Sequence, residues 1–232
     1  MDRNPYDDAK LLAGATERLL ASVRSMDDAQ VATPSTLPGW SRGHVLTHLS
    51  RHADALANLA HTAVTGEPRV MYASPEARSA DIEAGAGRGH ADQLADLTAA
   101  TDRLAALIAA VPAARWAADV AYRQGPGPAA NIPWNRLAEV EIHHVDLGLG
   151  YSPDDWDPAF GTGLLDMLAP DFAARATPAT VRAADTGATY RLGDGPTVTG
   201  TSARLAAWLV GRPAAGLAVD PIGPLPVPPR WK

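Results

Sequence analysis

From Ser41 to Gly66 the chain carries one uninterrupted helical pattern, SRGHVLTHLSRHADALANLAHTAVTG, in which Val45, Leu49, His52, Leu56, Leu59 and Ala63 recur on a single stripe. Ser41 offers a capping hydroxyl at one end, and Gly66 a stop at the other. A helix of this length with an apolar stripe has to bury that stripe, and three other stretches can cover it. Leu11, Leu12, Leu19, Leu20 and Val23 keep helical spacing between about Tyr6 and Ser25. Leu94, Leu97, Thr101, Leu104, Leu107 and Ile108 do the same from about His90 to Val111, before Pro112. Leu137, Val140, His144 and Leu147 form an inward stripe that starts after Pro133 and ends at Gly148. Four helices of bundle length are expected. A short helix capped by Ser74 with Pro75 at its first position, and a loop over GPGPAANIP, complete this part.

A further helix from about Trp156 to Ala176 carries Phe160, Leu164, Met167 and Leu168, and then the pattern changes. VRAAD, ATYRL and PTVTG, separated by turns at Thr186-Gly187 and at Gly193 to Gly195, read as short antiparallel strands. Thr201 or Ser202 caps a helix, ARLAAWLV, closed by Gly211, and the ending GPLPVPPRWK is too proline-rich for either regular state. The predicted fold class is therefore α+β, with a helical bundle over residues 1–150 and a smaller α+β part with its linking helix over 151–232.

Charge and composition remove several functions. The 232 residues hold 26 Asp and Glu against 20 Lys and Arg, a formal net charge of -6. Binding to a phosphate backbone needs a clustered excess of cations, so nucleic acid is not an expected partner. The longest apolar run, Leu104 to Ala114, falls far short of the roughly 20 residues that span a bilayer and contains Pro112. The polar, acidic N-terminus MDRNPYDDAK lacks the basic and apolar sectors of a secretory signal, so no membrane partner and a cytoplasmic location are expected. The chain has no cysteine, which excludes disulfides, iron–sulfur clusters and a thiol nucleophile of its own. Any thiol chemistry here must borrow its thiol.

The histidines carry the functional signal. His44, His48 and His52 repeat every four residues on one predicted helix, while His143 and His144 sit on another beside Glu139, Glu141 and Asp146. Glu139 and His143, four apart, share a helix face and can reach one ion. One imidazole from a facing helix would make two nitrogens and a carboxylate, a donor set that suits zinc with a position left open for catalysis. Spacing does not choose that imidazole. The angular position of His52 at the centre of the apolar stripe slightly favours it over His48 and His44. His144, on the inward stripe, reads as a hydrogen-bonded core histidine.

The segments LPGWSRGHVLTHLSRHADALANL, GEPRVMYASPEARSADIEAG, NRLAEVEIHHVDLGLG, VTGTSARLAAWLVGR and PPRW resemble the mycothiol-dependent maleylpyruvate isomerases, members of the DinB-like metal-binding bundle superfamily. The combination of MYASPEAR, LVGR and PPRW points to the isomerases within that superfamily. The resemblance implies a DinB-like four-helix bundle with a smaller C-terminal α+β domain. It also implies zinc held by His48, Glu139 and His143, with Arg78 and Arg212 as catalytic residues lining the site, the second from the C-terminal part. His52 departs from the Asn usual in the family. The implied reaction is cis-to-trans isomerisation of maleylpyruvate to fumarylpyruvate in gentisate breakdown, with mycothiol as the thiol and a dicarboxylate as the substrate. The expected assembly is a monomer. Two other readings stay open: a mycothiol S-transferase, which has no need of both arginines, and a non-catalytic metal-binding module with a closed coordination sphere.

Overall fold

The computed structural model describes residues 3–213 and 215–231. Chain contacts divide it into two compact units, Asp2–Leu149 and Gly150–Lys232.

In the first unit α1 (Pro5–Arg24), α3 (Arg42–Thr65), α5 (His90–Ala110) and α6 (Ile132–Asp146) close a four-helix ring. Helix α3 packs on α5 and α6, and α1 packs on the same two helices. A five-residue helix, α2 (Asp28–Ala32), and α4 (Pro75–Ala86) lean on α3. The α3 pattern is realised with both expected ends. Ser41 and His44 form a reciprocal capping box, and Gly66 closes the helix at φ 85°. Helix α3 has neighbours on three sides; Leu46, Leu49, Leu56 and Leu59 are fully buried, and the polar His48 and His52 are buried beside them.

Two glycines set how closely α4 approaches α3. A Cβ on Gly43 would lie 2.1 Å from the Ala86 carbonyl oxygen, and one on Gly85 would lie 2.5 Å from Thr47 Cγ2. The buried Gln93 of α5 locks this contact, its Nε2 donating to the carbonyls of Gly85 at 2.9 Å and Gly43 at 3.3 Å. Ser74 caps α4 and Pro75 opens it, as the sequence predicts. This clamp holds the face of α4 that carries Arg78 over α3.

The segment expected to be a loop over 125–133 instead pairs. Strand β1 (Asp119–Tyr122) runs antiparallel to β2 (Gly125–Pro128) through a two-residue turn, with Pro126 and Pro128 tolerated because this two-stranded ladder has only edges. The Tyr122 hydroxyl donates to the Pro128 carbonyl, and the hairpin is seated on α3 through β1.

In the second unit α7 (Pro158–Ala174) and α8 (Ser202–Leu209) pack together, and α8 also packs on a four-stranded sheet. That sheet has the order β4 (Thr189–Arg191), β3 (Thr180–Ala183), β5 (Thr197–Gly200), β6 (Ala218–Asp220). The expected all-antiparallel pattern is corrected in one place: β3 and β5 are parallel, because β4 folds out to the far side of β3 and frees its other edge. Strand β6, which no alternation in the sequence announced, adds antiparallel to β5. Phe160, Leu164, Phe172, Val181 and Val198 are fully buried in this unit.

Candidate metal centre

The site is built where α3 faces α6. On α6 the sequence RLAEVEIHHVD spaces Arg136, Glu139, His143 and Asp146 by three, four and three residues, one helical face. On α3 the matching position is His48. Its Nε2 lies 2.8 Å from Glu139 Oε2 and 3.2 Å from His143 Nε2, and His143 Nε2 lies 3.3 Å from Glu139 Oε2. Corners of a tetrahedron about 2.0–2.1 Å from a zinc ion stand about 3.3 Å apart, so these three atoms already occupy such a spacing. Among the described residues they are the one group of three that could hold a metal ion.

Hydrogen bonds behind the cluster orient both rings. His143 Nδ1 donates to Asp146 Oδ2 at 2.8 Å, leaving its Nε2 for the cluster, and the buried Asp146 is itself held by Thr36 Oγ1 at 3.3 Å. His48 Nδ1 accepts from Arg78 Nη2 at 3.0 Å. A guanidinium only donates, so the proton of neutral His48 sits on Nε2, where it is given to Glu139. Trp40 covers this ring at 5.7 Å between centroids.

Charge follows from burial and contacts. Burial pushes His48 down to about 4, against the pull of the Glu139 hydrogen bond, so this imidazole is neutral at pH 7. Burial likewise takes His52 to about 3. Burial alone would raise Glu139, but the imidazoles of His52, His143 and His48 override it and hold the carboxyl well below its usual range. For His143 burial is outweighed by the carboxylates of Asp146 and Glu139, and the ring is shifted towards its protonated form. The site therefore offers a carboxylate and two imidazoles gathered round a point that attracts positive charge.

The other histidine candidates fall elsewhere. His52 Nε2 stands 3.9 Å from Glu139 Oε1, beyond hydrogen-bonding reach, despite its central place on the stripe. His44 serves the α3 cap, and His144 donates to or accepts from Ser22 Oγ at 2.8 Å inside the bundle. Arg78 stands beside His48, at the wall of a cavity of about 450 Å³. Arg212 belongs to the second unit, where its Nη1 donates to the Val210 carbonyl at 2.7 Å. Sequence reasoning passed over Arg136, the largest fully buried side chain, whose Nη1 donates to the Leu49 carbonyl at 2.7 Å. Its three-residue spacing to Glu139 was the available signal.

A four-helix bundle that gathers His, Glu and His from two facing helices defines the class of metal-binding helical-bundle proteins. Within that class, residues 12–148 match the family model described as the mycothiol maleylpyruvate isomerase N-terminal domain, and the chain belongs to that family. Two solved structures agree along nearly the whole length. One is a mycothiol-dependent maleylpyruvate isomerase, 28% identical with a TM-score of 0.92, the match covering 99% of this chain and 98% of that one. The other is a histidine-to-alanine mutant described under the same enzyme name, 27% identical, with the same TM-score and coverage. No curated protein sequence gives a significant match. No helix among the described residues is long and apolar enough to cross a membrane.

Proposed function

We propose that this protein is a zinc- and mycothiol-dependent isomerase that converts maleylpyruvate to fumarylpyruvate. The observation that carries the reading is the convergence of His48 Nε2, Glu139 Oε2 and His143 Nε2 in a chain of this family that has no thiol of its own. Two imidazole nitrogens and one carboxylate oxygen fit zinc and leave a position for an exogenous ligand. Bound there, the metal would hold the sulfur of the borrowed thiol as a thiolate, the nucleophile that makes the substrate's double bond transiently single.

The chain's own residues do the rest. Glu139 presents its lone pairs, and Asp146 keeps the His143 proton on Nδ1, which leaves the His143 Nε2 lone pair facing the cluster. For His48 Nε2 to act as a ligand, its proton must move to Nδ1, the atom that now accepts from Arg78. Two donors cannot share that contact, so Arg78 is released into the adjoining cavity. There its planar guanidinium binds a carboxylate through two parallel hydrogen bonds and stabilises charge gathering on the keto oxygen. Arg212 is the second arginine of this reading, for the other carboxylate.

The test is an absorbance assay of maleylpyruvate with zinc-loaded protein, with and without mycothiol, repeated on His48→Ala. Thiol-dependent turnover that disappears in the variant is expected. Metal binding without turnover sinks the reading in favour of a metal-binding module, and a stable thiol conjugate with a generic electrophile would favour an S-transferase.

A further inference from the structure

The cavity beside the cluster is assembled within the first unit from the stretch 70–79, which includes the start of α4, and from the β1–β2 hairpin. It holds two guanidiniums, Arg78 on its inner wall against His48 and Arg123 in the hairpin turn. No Asp or Glu lines it, although the chain carries 26 such residues and a net charge of -6. An acid-free, doubly cationic cavity in an acidic protein selects for anions.

Three details give this cavity a chemical shape. Arg123 makes no ion pair or hydrogen bond among the described residues, so its donors are uncommitted. Its hairpin is fixed by the Tyr122–Pro128 bond and by Tyr122 packed over Gly127, where a Cβ would lie 3.4 Å from the ring. Tyr72 lines the same cavity, with its ring centroid 5.7 Å from the Arg78 guanidinium carbon, and its phenol also feels the charge of Arg123. The Tyr72 hydroxyl is buried with no hydrogen bond of good geometry among the described residues. Burial raises its pKa despite the nearby Arg78, so it stays a proton donor.

We propose that Arg123 and Tyr72, with Arg78, form a clamp for the carboxylate at one end of the substrate. The inference rests on the isomerase reading and deepens it: the clamp takes the carboxylate at one end of the substrate, and Arg123 is its specificity-determining residue. A substrate of the same length that lacks this carboxylate leaves the clamp unfilled and is bound less well.

The test compares wild type with Arg123→Gln, Arg123→Lys and Tyr72→Phe. In Arg123→Gln the KM for maleylpyruvate rises about 10-fold while kcat changes little, Arg123→Lys restores part of the loss, and Tyr72→Phe raises KM about 3-fold. A non-reacting probe, cis,cis-muconate, inhibits wild type about 10-fold more strongly than its dimethyl ester, and Arg123→Gln narrows that preference. An unchanged melting temperature for the exposed Arg123→Gln excludes misfolding as the cause. A variant that keeps the wild-type KM and muconate preference overturns the clamp and leaves the isomerase reading intact. If wild type shows no maleylpyruvate turnover, calorimetric binding of muconate still decides: loss of binding in Arg123→Gln sustains the clamp while the isomerase reading falls, and equal or absent binding in both proteins overturns it.

Discussion

The two units of this protein treat buried polarity in opposite ways. Of the twelve buried polar or charged side chains among the described residues, ten lie in the helical unit, from Asp8 to Asp146, and they include His48, His52, Arg136 and Glu141. The second unit buries only Thr177 and Ser202, both satisfied locally, by the Phe172 carbonyl and by Asp185 at 2.9 Å each. Its ion pairs, such as Arg191–Asp194, lie at the surface. Burying a charge costs stability unless it is paired, so a fold concentrates such groups only where their chemistry is used. The bundle tolerates them because α3, α5 and α6 surround them with dense aliphatic packing.

Five experiments press on this contrast, beginning with the largest effect. Glu139→Gln removes the one carboxylate of the cluster and should lower zinc affinity about 10²- to 10³-fold in a chelator competition, with the bundle still folded. Equal affinity would mean that the metal binds elsewhere. Phe172→Ala in the second unit should do the converse, costing about 3–5 kcal/mol in denaturant unfolding while zinc affinity in the folded protein stays put. A change in affinity there would show that the units are not independent in function.

Asp146→Asn leaves the ring of His143 without its anionic partner and should weaken zinc about 10- to 100-fold, a loss that a purely structural role would not produce at unchanged melting temperature. A smaller effect is set by pH in the metal-free protein. His52 is held down to about 3 when folded against 6.5 when unfolded, so its contribution to stability is complete above pH 6.5 and is lost as pH falls towards 3. Between pH 6.5 and about pH 5 that loss is about 2 kcal/mol, and His52→Asn should flatten this limb of the stability curve. A limb unchanged in the variant would assign it to other groups. In the second unit Asp194→Ala, at an exposed pair, should shift stability by less than about 0.5 kcal/mol.

Helix periodicity was legible because each long helix has one apolar stripe, and α3 adds a clear cap at each end, Ser41 and Gly66. The hairpin at Asp119–Pro128 was not, since GPGP has no alternating side chains and pairs through its backbone alone. The parallel β3–β5 pairing was hidden for a related reason: local turns at Thr186-Gly187 and Gly193–Gly195 announce a reversal but not which edge the next strand joins. At the site, four-residue spacing joined Glu139 to His143, yet spacing did not choose among the three histidines of α3, and the angular pattern slightly favoured His52.

By itself the sequence determined the helices, the shared face of Glu139 and His143, the missing thiol and, through its motifs, the family. Tertiary structure decided that His48 rather than His52 meets that face, at 2.8 Å and 3.2 Å. It also placed Arg78 on His48 through the Gly43 and Gly85 contacts, and gathered Arg123 with Tyr72 around one cavity. Spacing along a helix fixes angles about its own axis, whereas the partner across an interface depends on how two helices cross and how closely they approach. That is set by packing contacts far apart in the chain.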